Sequence, residues 1–413
     1  MSIAVRSFAK INLGLKIGPV RADGFHELRT IYQTIALHDV VRVDVQRGSG
    51  IEIRCNDPRV PLDESNTCYK VAERVLKAVK AGSHSINARA GQTEVPQGLK
   101  PTPVAVLGGT AEAVPFQSQD RFQNQNHSQN QDHLQNQNHV QNQNHFQSQN
   151  PLQNHNHEMA RGGKVVIEID KRLPVQGGMG AGSSNAVATM LGLERALETK
   201  ISAADKVRIA AEVGSDVPLF LIGGTVLGIG HGEEVYPLQD LPSMHLVLVT
   251  PPIGVSTPKA FAQWDDLAAR EAELTGAGAT GTINKFGQAV YAWLSESVFS
   301  RAVSASEPAS GVPAVGGDRA ETPLLDLVRA GIENDFERVV FPEYPDLREV
   351  KRVLEREGAR HASLSGSGST LYGLFGSGEE AQAAAARMTA AGYAAIATTT
   401  LTRDEYWKAV VTG

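Results

Sequence analysis

At 413 residues the chain has room for two domains, or for one large domain with insertions. Its apolar fraction of 41% supports a sizeable core, and a net charge of −6 gives no basic footprint for nucleic acid or an anionic membrane surface. No run approaches the roughly 18 apolar residues of a membrane span, the opening MSIAVRSFAKINLGLKIGP has no signal-type apolar core, and Cys55 and Cys68 lack metal spacing and read as reduced thiols. The expected setting is the cytoplasm.

In chain order, SFAKINLGLKI (Ser7–Ile17) reads as a strand whose period of two puts Lys10 and Asn12 on one face with Phe8. Lys10 is then either a charge on a solvated face or a partner for an acidic group or a phosphate. In RADGFHEL (Arg21–Leu28), Asp23-Gly24 signals a turn, and Phe25 and His26 follow it. The pair is suited to stack on a flat ligand and bond its edge, or it is incidental to a hairpin tip. NTCYKVAERVLKAVKAG (Asn66–Gly82) has a 3.6-period apolar face and reads as a helix, with Gly82 as its stop.

Ser83 to Gly163 is too long for a structureless loop in a compact domain and reads as an insertion. Within it, Phe116–His157 is built of Gln, Asn and His, with His127, His133, His139 and His145 recurring every six residues. That composition cannot offset chain entropy by burial, so disorder is expected. Casual metal binding and a β-solenoid repeat are the other readings. KVVIEID (Lys164–Asp170) then alternates as a strand.

The next stretch, PVQGGMGAGSSNA (Pro174–Ala186), is a glycine-rich turn. It has Ser183 where a P-loop needs its lysine, and Ser183 again where the dinucleotide fingerprint needs its third glycine. It opens a helix carrying Val187, Met190, Leu191, Leu193 and Leu197, with Ser183 and Ser184 as expected N-caps. Backbone amides and the helix N-terminus would suit an anion; a turn without a ligand is the alternative. A helix starting near Ala203 ends at Gly214, and Asp216 then either caps the following element, with Pro218 in its first turn, or acts as a general base. Ser300–Thr322 reads as a second loop. In ASLSGSGSTLYGLF (Ala362–Phe375), Gly366 and Gly368 precede a strand and form a second phosphate-side loop or a plain turn.

FAKINLGL, RADGFHEL, PVQGGMGAGSSNA, GSDVPLF and SLSGSGST, in this order, resemble the GHMP kinase superfamily. RADG followed by an aromatic residue and His, together with GSDVP, is similar to the branch acting on 4-diphosphocytidyl-2-C-methyl-D-erythritol (4-CDP-2-C-methyl-D-erythritol). The resemblance covers Ile3 to about Asp44, then Asn66–Gly82, Val165–Phe261 and Glu333 to about Phe375. It implies an α/β (α+β) fold of two domains. An S5-like N-terminal domain would span 1–240, with 83–163 as its low-complexity insertion, and a ferredoxin-like C-terminal domain would span 241–413. It also implies ATP with Mg²⁺ as cofactors, a small-molecule alcohol substrate, and no nucleic-acid or membrane partner. Oligomeric state is not legible.

By the same resemblance, Pro174, Val175, Gln176, Gly177, Gly178, Met179, Gly180, Ala181, Gly182, Ser183 and Ser184 would hold the nucleotide. Asp216 would be the base on the 2-hydroxyl, with Lys10 orienting that hydroxyl and stabilising charge. Asn12 would position substrate, Phe25 and His26 would stack on and read the cytosine, and Phe261 would be the opposite aromatic wall. Mg²⁺ would be held largely by phosphates, helped by Ser184. Two residues depart from the pattern: Phe25 replaces a usual Tyr, and Ala181 replaces a usual Gly, which requires a negative φ there. A GHMP kinase for another alcohol, and a nucleotide-binding regulator or scaffold built around the Gln/Asn/His tract, are the competing readings.

Overall fold

The computed structural model describes residues 2–89, 163–175, 177–275, 283–288, 290–291 and 333–411. The Gln/Asn/His tract, most of the insertion, Gln176 and the 300–322 loop lie outside them. Two sheets organise the rest. The first contains β1 (Ile3–Val20), β2 (His26–Arg47), β3 (Ile51–Cys55), β4 (Gly163–Asp170), β5 (Thr225–Ile229) and β6 (Glu234–Pro237). Its order is β3-β4-β2-β5-β6, with β1 also on β2 and only the β3/β4 pair parallel. The second is antiparallel: β7 (His245–Val249), β8 (His361–Leu364), β9 (Leu371–Phe375) and β10 (Ala395–Thr399), ordered β10-β7-β9-β8.

Strand periodicity decides which residues join the sheets. On β7, Val247 and Val249 face one cluster with the helices α5 (Glu337–Glu343), α6 (Pro345–Arg356) and α7 (Gly378–Ala390). Leu246 and Leu248 face the other way, onto Ile11, Ile31 and Ile35 of the first sheet. Fully burying each such side chain contributes about 1.5–3 kcal/mol, so this middle cluster holds the sheets face to face. The Tyr372 hydroxyl crosses it to the Asn12 carbonyl at 3.0 Å.

The helices α1 (Thr67–Arg89), α2 (Ala181–Ala196) and α3 (Ala203–Val213) cover the outer face of the first sheet. α1 runs past Gly82, the expected stop. The helix therefore carries an internal glycine, at a cost of about 1 kcal/mol relative to alanine. α3 ends as expected, with Gly214 as its C-cap. α4 (Thr257–Thr275) lies with the second sheet, and α8 (Arg403–Val410) returns to the first. A Thr402/Glu405 capping box starts α8, and its Tyr406 hydroxyl donates to the Phe220 carbonyl at 2.7 Å.

Burial pushes the His361 imidazole down to about 4, so it is neutral in the folded protein near neutral pH. Its Nε2 is buried without a hydrogen-bond partner. The unfolded chain therefore binds the extra proton first. Stability is expected to fall as pH drops from about 6.5 through about 4. Thermal unfolding against pH checks this, and His361→Phe should flatten that part of the curve.

Candidate active site

Lys10 and Asn12 stand on β1 between two register shifts, at Phe8/Ala9 and at Asn12/Gly14. Such bulges re-aim side chains without ending the strand. Here they bring both polar groups to one buried point, where Lys10 Nζ donates to Asn12 Oδ1 at 2.7 Å. Asn12 is itself fixed by donating to Thr30 Oγ1 at 2.7 Å, and Thr30 donates to the Gly14 carbonyl.

Asp216 meets this pair from the turn after α3. Its Oδ2 lies 3.4 Å from Lys10 Nζ, and its Oδ1 accepts from the Tyr32 hydroxyl at 3.0 Å. The 3₁₀ turn Pro218–Leu221 has Val217 as N-cap with no side-chain cap, so the Asp216 carboxylate is not spent on capping. Burial and the Asp216 charge push the Tyr32 phenol well above its ordinary value, which keeps it a donor. The Lys10 side chain is 4% exposed and that of Asp216 32%. The ion pair thus opens to solvent on its carboxylate side, where a hydroxyl can reach it.

The glycine loop docks directly on β1, with the Lys10 amide donating to the Met179 carbonyl at 3.0 Å. Gly180 has φ 66° and is the N-cap of α2, so the helix starts at Ala181. This corrects the placement of the cap at Ser183 or Ser184. A left-handed residue is needed to turn the loop, and only glycine takes it cheaply. A Cβ on Gly180 would also meet the Phe220 ring at 3.0 Å and Lys10 Cγ at 3.2 Å. Ala181, as the first helical residue, avoids positive φ. Ser184 falls in the first turn and is buried.

The second glycine–serine loop closes the other side. Ser365 Oγ donates to the Gly178 carbonyl at 3.1 Å, and the Thr370 amide to the Gly177 carbonyl at 3.3 Å. Gly178 sits at φ 74°, and a Cβ there would lie 2.2 Å from the Ser365 carbonyl oxygen. Gly178→Ala is expected to cost about 1–3 kcal/mol from the backbone alone, and to separate the two loops. Thermal unfolding with and without ATP measures both effects, and the stabilisation by ATP should shrink.

A cavity of about 360 Å³ opens beside the loop. Its walls include Pro174, Val175, Gly177, Gly178, Met179, Gly180, Ala181, Gly182 and Ser183, with Ser65, Asn66, Thr67, Cys68 and Lys171 opposite. The Thr67 hydroxyl ties the two walls by donating to the Gly182 carbonyl at 2.7 Å. Burial pushes the Cys68 thiol up to about 12, so it is protonated and unreactive. Among the described residues, no three His, Cys, Asp or Glu side chains group to hold a metal ion.

The aromatic residues are arranged differently from the sandwich expected of them. Phe25 is exposed at the hairpin tip, where Gly24 supplies φ 84°, and its ring packs on His231 at 4.9 Å. His26 instead stacks on Phe261, with ring centroids 5.0 Å apart and planes 5° from parallel. The His26 ring bridges the Gly18 carbonyl at 3.1 Å and Asp265 Oδ1 at 3.2 Å. Phe25 and His26 thus pack on different rings, His231 and Phe261, and His26 rather than an open slot covers the face of Phe261.

Residues 149–224 match the GHMP kinases N terminal domain, and residues 321–394 match the GHMP kinases C terminal. The chain belongs to the GHMP kinases. The GHMP kinase is thus an ATP-using phosphotransferase acting on a small molecule. Over 90% of its length it is 29% identical to a 4-diphosphocytidyl-2-C-methyl-D-erythritol kinase of Solibacter usitatus, spanning 80% of that relative. It is 27% identical to the same-named kinase of Acaryochloris marina, across 93% of this chain and 90% of the other. Among solved structures, a 4-(cytidine 5'-diphospho)-2C-methyl-D-erythritol kinase superposes with TM-score 0.55 at 22% identity, covering 96% of this chain and 99% of that one. A homoserine kinase from Cytophaga hutchinsonii superposes with TM-score 0.51 at 16% identity, covering 97% and 95%. These structural likenesses establish the fold. No helix among the described residues is long and apolar enough to cross a membrane.

Sequence reasoning overlooked Tyr32, Asn66, Lys171 and the Asn334-Asp335 pair. Asn334 Nδ2 donates to the Leu364 and Gly366 carbonyls, both at 2.8 Å, which holds the second loop near Lys10. Asp335 pairs with Lys16 at 2.9 Å, and burial raises its carboxyl above the ordinary range. The run IENDFE offered a polar pair between apolar residues, but nothing in it named their partners.

Proposed function

We propose that this GHMP kinase transfers the γ-phosphoryl group of ATP to the 2-hydroxyl of 4-CDP-2-C-methyl-D-erythritol, giving ADP and the 2-phosphate, a step of the non-mevalonate route to isoprenoid precursors. The observation that carries the reading is the Lys10–Asp216 pair, 3.4 Å apart and seated against the glycine loop. The choice of alcohol is supported by the names of relatives that align over nine-tenths of the chain.

In this reading the triphosphate lies along Pro174–Ser184, and the nucleoside end fills the cavity walled by Asn66, Thr67 and Lys171. Loop amides and the α2 N-terminus face the phosphates. Asp216 takes the proton of the attacking tertiary hydroxyl. Tyr32 holds one carboxylate oxygen at 3.0 Å and leaves Oδ2 for the hydroxyl and for Lys10. Lys10 orients the hydroxyl and offsets the negative charge that gathers as the phosphoryl group moves. Asn12 keeps the ammonium aimed. Mg²⁺ bound with ATP would supply neutralisation of phosphate charge, and it would be held largely by the phosphates, helped by the Ser184 hydroxyl in the first turn of α2.

We place the boundary between the two domains at 240/241, between β6 and β7, with α8 crossing back. Phe25, His26 and Phe261 bind the cytosine, and seating the base between aromatic faces requires His26 to leave Phe261. Phosphorylation of 2-C-methyl-D-erythritol 4-phosphate, which lacks the cytidine, tests this. That acceptor should be at least about 100-fold poorer in kcat/KM, since base stacking is worth roughly 1–3 kcal/mol and the edge hydrogen bonds add to it. Equal turnover of the two acceptors would remove the aromatic arm from the site.

A further inference from the structure

We infer that Asp39, which touches no reacting group, is the positioning residue that fastens both ends of the glycine loop and thereby sets nucleotide affinity. The inference rests on the assignment of that loop to ATP. Asp39 lies on β2, fully buried, one residue before Val40, which pairs with Asp170 at the end of β4. Beyond Asp170 the ladder stops, and the amides of Arg172 and Leu173 have no strand partner. Asp39 Oδ1 accepts from both, each at 2.7 Å. Its Oδ2 accepts from Lys171 Nζ at 2.8 Å and from Asn185 Nδ2 at 3.0 Å.

Residues 171–173 lead into the loop and Asn185 follows it, so one carboxylate holds the chain on both sides of Pro174–Ser184. Four donors meet one carboxylate, which has room for four. An amide in its place has a single acceptor oxygen and would turn a donor toward two of these donors. It would also leave the buried Lys171 ammonium without its counter-charge, which is the costly way to break a buried pair. Because the acceptor-side groups Lys10, Asn12 and Asp216 are fixed by other bonds, the loss should fall on the nucleotide alone.

The test is calorimetric titration of the full chain with ADP and, separately, with 4-CDP-2-C-methyl-D-erythritol. Asp39→Asn is expected to weaken ADP binding at least about tenfold, with acceptor affinity unchanged. Asn185 also lines the cavity, so the double variant separates its two parts. Asn185→Ala should weaken ADP binding by about three- to tenfold, and should add nothing in the Asp39→Asn background if it works by way of its bond to Asp39. ADP affinity unchanged in both variants overturns the inference, as does full additivity of the two changes. If Asp39→Asn does not fold, shown by lost acceptor binding, Asn185→Ala decides in the same two directions. Failure of the wild-type chain to bind ADP would instead overturn the nucleotide assignment of the loop.

Discussion

Asp216→Ala is expected to lower kcat by about 10²–10⁴-fold, the usual worth of a positioned general base, while the protein stays folded. The carboxylate itself is 32% exposed and caps nothing. Its removal does leave the buried Tyr32 hydroxyl unpaired, at about 1–3 kcal/mol of stability. It also takes the counter-charge from the buried Lys10 ammonium, which keeps its bond to Asn12. Thermal unfolding should show a lowered but cooperative transition. Asp216→Asn should lose nearly as much rate, since the amide keeps the shape and cannot take the proton. Steady-state kinetics beside thermal unfolding separates the outcomes. An unchanged kcat in Asp216→Ala would leave Asp216 a structural partner of Lys10 and Tyr32.

Lys10→Met should reduce kcat by about 10²–10³-fold, the range seen on removing one preorganised charge-stabilising donor. Methionine keeps the length and apolar contacts of the stem, so the packing of Lys10 Cγ near Gly180 is retained. Lys10→Arg is not expected to rescue the rate. The ammonium sits 2.7 Å from Asn12 and 5.3 Å above the Tyr32 ring, and a longer planar guanidinium does not reproduce that compact point charge. Nearly full kcat in Lys10→Met, with a raised KM for the acceptor, would assign Lys10 to substrate binding rather than to charge stabilisation.

Much of this site was legible in the sequence because it depends on local rules. A period of two placed Lys10 and Asn12 on one face, and they meet at 2.7 Å. Gly214 ended its helix as helix-stop chemistry requires. What failed was decided by contacts far along the chain. Serine outranks glycine as an N-cap by propensity, yet Gly180 caps α2 because the loop needs a left-handed residue wedged between Lys10 and Phe220. Whether Asp216 caps or faces Lys10 depends on a strand some 200 residues earlier, so its own neighbours in sequence left both open. Asp39 drew no reading from the sequence, because its partners stand 132–146 residues away. The ring contacts of Phe25, His26 and Phe261 were likewise beyond sequence spacing, since His231 and Asp265 take part in them.

The most direct measurement is ADP release by the purified chain with ATP, Mg²⁺ and 4-CDP-2-C-methyl-D-erythritol, run beside homoserine, mevalonate and galactose. Shared fold alone would allow any of these alcohols. Turnover confined to the cytidine-linked acceptor, and abolished in Asp216→Ala, is the predicted result. Comparable turnover of another alcohol, or none with the cytidine-linked one, would contradict it.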